Sequence, residues 1–349
     1  RVTGDAPMLD HAWLYGLEAT RCVGGDSGWR SLPVTAWRGA ELVGALPVYA
    51  KSHSMGELIY DFSWAQAVER MGIPYYPKLV VTNPFTPISG TRLLVDPALP
   101  EELRASIQHG LIDAVCELTR QSNATSVHAL FLTESEAPLW AMHGFSARLT
   151  HQYHWVDRGY DSFEGFLAQM RSTDRREIRR ERKRVRDAGF TVEVVQGPDV
   201  SEALMDDVYR WYHATCDKYP WGHAHLNEAF FRWVRQKLPE RLTVFVARDR
   251  EGTAVAGTFD LHVGDRLFGR YWGADREVPY LHFETCLYAM IEHAISQGYA
   301  TIEPGAGGEH KLSRGFEPVP IHSAHWFKDD RLQQMLSLIH ISEPTRPER

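Results

Sequence analysis

The chain has 349 residues, a net charge of −7, 44% apolar residues and 24% charged residues. That length gives one large or two medium domains with real cores, and the acidic balance argues against a dedicated nucleic-acid binder by bulk charge. No apolar run approaches the roughly 20 residues that span a bilayer, and the cysteines at 22, 116, 216 and 286 form no CxxC pair. Scattered thiols of that kind suit a reducing, cytoplasmic setting better than a disulfide frame or a zinc ribbon.

In chain order, residues 8–23 carry apolar positions at helical spacing. Residues 32–53 form two alternating runs around Arg38–Glu41 and predict a hairpin. The spacing predicts a strand over 56–64 and a short helix over 65–72. Segment 75–95 holds Pro77, Pro84 and Pro87, so part of it is an ordered loop rather than a central strand. A helix follows over 100–122, with Glu101 and Glu102 suited to its first turn. Strands are expected at 126–132 and 147–156, flanking a helical turn stopped at Gly144.

The second half repeats this order. A basic helix over 164–188 leads into strand TVEVVQG, amphipathic helices at 200–218 and 227–238, and a three-strand meander over 242–273. Shifting the chain by 171 residues superimposes 111–124 on 282–295, 126–132 on 297–303, and GFSARLTHQYHW on GFEPVPIHSAHW. The shared order points to duplicated domains, 1–157 and 158–335. The remaining stretch, 336–349, follows a natural stopping point and reads as a non-native tail.

The duplication is also an internal control. At the same offset His282 falls on Leu111, Glu303 on Leu132, His310 on Leu139 and Lys311 on Trp140. A fold that accepts apolar residues at those positions does not need the polar ones. The functional residues are therefore expected in the second copy, with the first a degenerate partner. His282, Glu284, Glu303, Glu309, His310, Lys311 and Arg314 all fall within 33 positions. Glu303 leaves a strand directly before Pro304, where a carboxylate of raised pKa could accept an amine proton; the bland reading is a strand-end salt bridge with Arg270 or Lys311. His282 is the first choice for a base, against a satisfied cap histidine, and Glu284 shares its turn but points to another face. Gly305, Gly307 and Gly308 would let backbone amides approach an anionic cofactor or substrate, with Lys311 and Arg314 adding charge. Run 171–186 carries nine Lys or Arg, by default a solvated face, otherwise a docking strip for an anionic carrier.

The order of three antiparallel strands, a helix, a strand and a glycine-rich exit resembles the core of GNAT-type acyltransferases. In that fold two neighbouring strands splay ahead of the helix, and free amides there take a thioester carbonyl. The coenzyme A signature Arg/Gln-x-x-Gly-x-Gly/Ala is not found in DREVPYL (275–281). The whole chain resembles the FemAB-like predicted N-acyltransferases of peptidoglycan biosynthesis and recognition, through KSHSMGELIYDFSWA, YYPKLVVTNPFTPISGTRLL, RSTDRREIRRER, GRYWG, LHFETCLYAMIEHAI and EPGAGGEHKLSRGFEP.

The resemblance implies an α/β fold of mixed sheets in tandem GNAT-like domains, and transfer of an acyl or aminoacyl group from a thioester or tRNA donor to an amine acceptor such as a cell-wall precursor. No tightly bound cofactor or metal is expected; acyl-CoA or aminoacyl-tRNA would be a co-substrate. Arg270, Trp272, Glu309, His310, Lys311 and Arg314 would orient substrate, and Tyr76, Lys78 and Thr86 of the first domain would close the cleft. Two alternatives stand beside this: a metal-dependent hydrolase using His282, Glu284, Glu303 and His310, although no HExxH-like spacing exists, and a non-catalytic module that binds precursors.

Overall fold

The structure is a computed structural model that describes residues 6–218 and 223–335. The proposed non-native tail, 336–349, lies outside them. The chain forms a mixed α/β fold in two compact units, residues 1–151 with 320–349, and 152–319.

The first unit begins with α1 (His11–Ala19), β1 (Trp29–Ser31), the hairpin β2 (Val34–Arg38) and β3 (Glu41–Leu46), then β4 (Val48–Lys51). It continues through α2 (Phe62–Arg70), β5 (Lys78–Val81), β6 (Leu94–Val95), α3 (Glu101–Gln121), β7 (Ser126–Leu132), α4 (Ala137–Met142) and the start of β8 (Ser146–Val156). Strands β1, β4 and β5 are antiparallel neighbours, while β5 and β7 run parallel. The residues of α3, β5 and β7 that the alternation turns inward, among them Leu79, Val81, Ile112, Val115 and Val127, fill the core with Trp140 and Phe145.

The strand expected at 56–64 is absent. Gly56 and Leu58 adopt positive φ (80° and 64°), which an extended run cannot contain, and Glu57 and Asp61 both turn inward to the amine of Lys78. Residues 52–61 therefore form a loop held by buried charge.

The second unit carries α5 (Phe163–Gln169), α6 (Ser172–Asp187), β9 (Thr191–Gln196), α7 (Glu202–Asp217) and α8 (Glu228–Lys237). The expected single helix over 164–188 is broken because Met170 and Arg171 are extended, with ψ of 160° and 143°. The meander is β10 (Leu242–Arg248), β11 (Ala254–Val263) and β12 (Arg266–Ala274), all antiparallel. Helix α9 (Leu281–Phe283) passes through a π-helical turn (Glu284–Tyr288) into α10 (Ala289–Gln297), which Gly298 stops in the left-handed region. Strand β13 (Thr301–Glu303) is shorter than the expected 297–303, a 3₁₀ turn spans Glu309–Arg314, and β14 is Glu317–Phe327.

The repeat offset maps β8 onto β14 residue for residue. Each strand, however, finishes in the sheet of the other repeat. Trp155 and Val156 of β8 pair with β13, and residues 322–327 of β14 pair with β7. The division expected at 157/158, with 320–335 in the second domain, is thus replaced by units that exchange their last strands. The similarity relates β8 to β14 but cannot say which sheet receives each strand's last residues.

Candidate active site in the second unit

Strands β12 and β13 run parallel for three pairs, Arg266–Thr301 through Phe268–Glu303, and the pairing then stops. Beyond it β13 ends in Pro304, which has no amide hydrogen to offer. Close approach at this point depends on Gly269, where an added Cβ would lie 3.1 Å from Pro304 Cα. From Gly269 onward β12 no longer pairs with β13, and Gly305 of the following loop lies against Gly269 O. This is the local geometry of a splayed strand pair.

Residues from three later elements gather around that opening. Lys311 is 5% exposed and its Nζ donates to Gly305 O at 3.0 Å, stapling the glycine loop to the 3₁₀ turn. Burial lowers its pKa to about 8, so it is a cation at neutral pH that loses its charge in mild alkali. Gly305, Gly307 and Gly308 all have positive φ, and at Gly308 a Cβ would sit 2.5 Å from the His310 ring. The ring of His282 lies 5.4 Å from Trp272 and 6.5 Å from His310, centroid to centroid.

Packing against those rings, then the charges of His310, Lys311 and Arg314, pushes the His282 pKa down. The residue keeps an exposed surface, so its desolvation is less than that of a core histidine; the direction stands, and the imidazole is neutral at pH 7. No described residue hydrogen-bonds it. Burial and the same two cations lower His310 as well. Glu309 is exposed at the start of the turn.

Other predicted residues are committed elsewhere. Glu303 is 4% exposed and paired with Arg266, with His154 at 4.0 Å. It is the strand-end salt bridge, made with Arg266 rather than Arg270 or Lys311. Glu284 takes Arg182 in a bidentate pair at 2.9–3.2 Å, and Arg182 reaches Glu292 at 2.6 Å. Arg314, 6% exposed, donates to Tyr288 Oη (2.8 Å) and to both oxygens of Glu181 (2.8 and 3.1 Å), with its guanidinium 3.9 Å from the Phe283 ring centroid. Both arginine partners lie on or against α6, so two charges expected to meet substrate instead anchor that helix. Arg270 stacks on Tyr271 at 4.8 Å.

Among the nine basic residues of 171–186, ion pairs join Arg171 to Asp174, Arg179 to Glu164, Arg180 to Glu177, Lys183 to Asp187 and Arg182 to Glu284 and Glu292. The metal-hydrolase alternative needs His282, Glu284, Glu303 and His310 to converge, and they do not. Among the described residues no three His, Cys, Asp or Glu side chains are placed to share an ion.

In the first unit Ser54 links half-buried Tyr76 to buried Lys78, while Thr86 is buried apart from them. Lys78 is 0% exposed and bonded to Ser54 (2.8 Å), Glu57 (2.8 Å) and Asp61. Tyr76 Oη meets Ser54 Oγ at 2.8 Å, and Thr86 Oγ1 donates to Pro84 O. Burial opposes the charge on Asp61, yet Lys78 holds its pKa down to about 2; Glu57, under the same burial, is raised to about 7. A hydrogen-bonded row Ser126–His128–His325–Ser323 crosses the core beside it (2.9, 2.8 and 2.9 Å). Lys78 and Thr86 thus lack any surface to offer a substrate, and the first unit is not stripped of polar groups as its apolar matches to 282, 303, 310 and 311 implied.

Sequence reading missed Asp260. It lies in mid-β11, 1% exposed, bonded to Thr258 Oγ1 and to the amide of Arg270 (3.3 Å). Burial raises its pKa to about 8. The available signal was an Asp inside the apolar run AVAGTFDLHV, a residue depleted from strand interiors.

Comparison with known proteins agrees with this architecture. The FemAB-like family, described as peptidoglycan biosynthesis/recognition, matches residues 1–344. Solved structures of similar fold include FemX (TM-score 0.56, 11% identity, 96% of this chain and 95% of that one). L-PGS from Bacillus licheniformis gives 0.54 at 12% identity, over 96% and 98%. The C-terminal domain of a putative lysylphosphatidylglycerol synthetase from Agrobacterium fabrum gives 0.53 at 12%, over 84% and 85%. No curated protein matches the chain.

Proposed function

The chain belongs to the FemAB-like family, and from that premise we propose that it is an acyltransferase that moves an acyl or aminoacyl group from a thioester or tRNA donor to an amine, with a cell-wall precursor as the favoured acceptor. The observation that carries this reading is the β12–β13 divergence, ringed by His282, His310 and Lys311. A splayed edge offers backbone amides to a polarised acyl oxygen. His282, neutral at pH 7, accepts the proton that the attacking amine sheds. A weak base suffices, because the nitrogen of a tetrahedral adduct is far more acidic than a free ammonium ion. Lys311 supplies a positive charge for a carboxylate or phosphate on one of the substrates, and Trp272 and Phe283 form an apolar wall.

The turn before α9 bears on the donor. Leu281 N already donates to Val278 O (3.2 Å), and Arg184 Nη1 donates to Tyr280 Oη (3.1 Å). This turn has no glycine cradle for a diphosphate, which favours a donor anchored elsewhere. A thermal-shift panel of acetyl-CoA, aminoacyl-tRNA and UDP-linked muramyl peptide tests the reading. Stabilisation by a donor, and its turnover with an amine, is expected. Stabilisation by the UDP-linked peptide alone, with no turnover of any donor, would favour the non-catalytic binding module.

A further inference from the structure

Asp260 is the one residue of this centre whose placement nothing above explains. Its carboxyl is 1% exposed in the middle of β11 and hydrogen-bonds no cationic side chain among the described residues. Other buried carboxylates of the unit have one: Glu181 has Arg314, Glu284 has Arg182, Glu303 has Arg266. A buried acid left without a cation is costly, and such acids concentrate at functional sites.

The register shows what it holds. Phe259 pairs with Tyr271 and Asp260 with Gly269, so Arg270 is an extra residue with no partner on β11. That is a β-bulge, and it falls at the first residues of β12 that are free of β13. A bulge leaves an amide unpaired, and here the Arg270 amide is taken by Asp260 Oδ1 at 3.3 Å. Asp260 Oδ2 shares a short hydrogen bond with Thr258, whose Oγ1 also accepts from the Phe245 amide at 2.9 Å. A chain of side-chain contacts therefore ties the bulge to β10.

We propose that Asp260 is a positioning residue: its carboxyl clamps the Arg270 bulge and so sets the amide edge of β12 that receives the acyl oxygen. This rests on the acyl-transfer reading above. The clamp acts through β12 and does not touch the reacting atoms. It must be neutral, because a full negative charge on one edge of β12 would oppose the negative charge that develops on an acyl oxygen at the other. The groups facing Asp260 are Arg270 of β12 and the Cys286 thiol of the π turn, with Lys311 beyond Cys286. Cys286 is itself pushed up by burial first and then by Asp260, and stays a thiol.

The test compares the full-length wild type with D260N and D260A. Hydrogen–deuterium exchange at the Arg270 amide needs no substrate. D260N, which keeps the acceptor oxygen, should leave that amide protected, and D260A should raise its exchange at least tenfold while the remaining β12 amides stay slow. Equal protection in D260A would overturn the clamp, whatever the donor proves to be. Turnover of the donor found among acetyl-CoA and aminoacyl-tRNA then tests the catalytic consequence. D260A should lose kcat with KM little changed, and D260N should restore it at pH 7. At saturating substrate, where weaker binding through Lys311 appears only in KM, wild-type kcat should fall as pH rises through about 8, and that fall in kcat should be absent in D260N. Retention of the alkaline fall in D260N, or full kcat in D260A, would refute the proposal. Failure of every donor in the unsubstituted protein would instead count against acyl transfer, with the exchange result still deciding the clamp.

Discussion

Replacing Lys78 with Ala should destabilise the first unit without touching the second. In the native fold the Lys78 amine is wholly enclosed and donates to two carboxyl groups, the ionised Asp61 and Glu57, whose pKa is raised to about 7; their side chains are 5% and 1% exposed. Removing the cation leaves two buried acids with no cationic partner at bonding distance. Breaking such a pair costs about 3–5 kcal/mol, a large share of the roughly 5–15 kcal/mol that holds a domain folded.

Part of that cost can be read independently from Asp61. Its pKa is held at about 2 against an ordinary value of 3.8, and that difference corresponds to about 2 kcal/mol. The folded pKa is depressed, so this stability is present above the unfolded value and is lost as pH falls from about 4 through about 2. The assay is urea unfolding at several pH values, with amide exchange assigning the loss to β4, β5 and residues 52–61. K78A should lose several kcal/mol at pH 7, and its deficit against wild type should shrink as the carboxylates are protonated. A loss below about 1 kcal/mol, or a deficit independent of pH, would refute the buried-clamp account. It would also reopen Lys78 as a substrate ligand.

Other expectations concern the second unit. E303Q should keep most turnover and lose modest stability, since Glu303 is committed to Arg266; a hundredfold loss of kcat in a folded E303Q protein would make Glu303 the base after all. Lys311 gives a pH signature in binding. Its pKa is lowered to about 8, so affinity for an anionic substrate should weaken as pH rises through that value, and K311R should remove the dependence while keeping the charge. Titration of substrate affinity between pH 6 and 9 reads both. R314A should behave as a stability variant, because Arg314 neutralises buried Glu181; unfolding should fall by about 3–5 kcal/mol, and unchanged stability would return Arg314 to the substrate.

Much of this molecule was legible from the sequence because periodicity and repetition report directly on strands and helices. The meander 242–273, helix 100–122 and strand 126–132 follow from alternation and helical spacing, and the 171-residue offset relates β8 to β14 residue for residue, although the strand expected at 147–156 starts one residue earlier. The errors share a physical cause: each depends on partners distant in sequence. Residues 56–64 look like a strand by composition, but Glu57 and Asp61 answer to Lys78 about twenty positions on.

The same holds at the site. Glu303 looked catalytic because its counterpart in the first repeat is Leu132, whereas Glu284 and Arg314, which fall on Asp113 and His143, were expected at the site from their place among the other ionisable residues of 282–314. Their partners, Arg182, Arg266 and Glu181, show that a repeat can also acquire charge to tie a helix or strand end. The rings of His282 and His310 lie 6.5 Å apart, and Lys311 reaches Gly305 O. Asp260 was not legible because the bulge opposite it arises from the pairing of β11 with β12, which spacing along one strand does not reveal.

The central claim is that acyl transfer occurs at the β12–β13 divergence with His282 receiving the amine proton. The measurement that tests it most directly is kcat of H282Q on the donor and amine that the wild type turns over. Glutamine fills much of the same space and cannot take up a proton, and His282 hydrogen-bonds no described residue, so folding and melting temperature should be unchanged. Loss of a general base costs about 10²–10⁴-fold in rate, and a fall of that size in kcat with KM little altered is the expected result. Turnover within a fewfold of wild type would contradict the assignment.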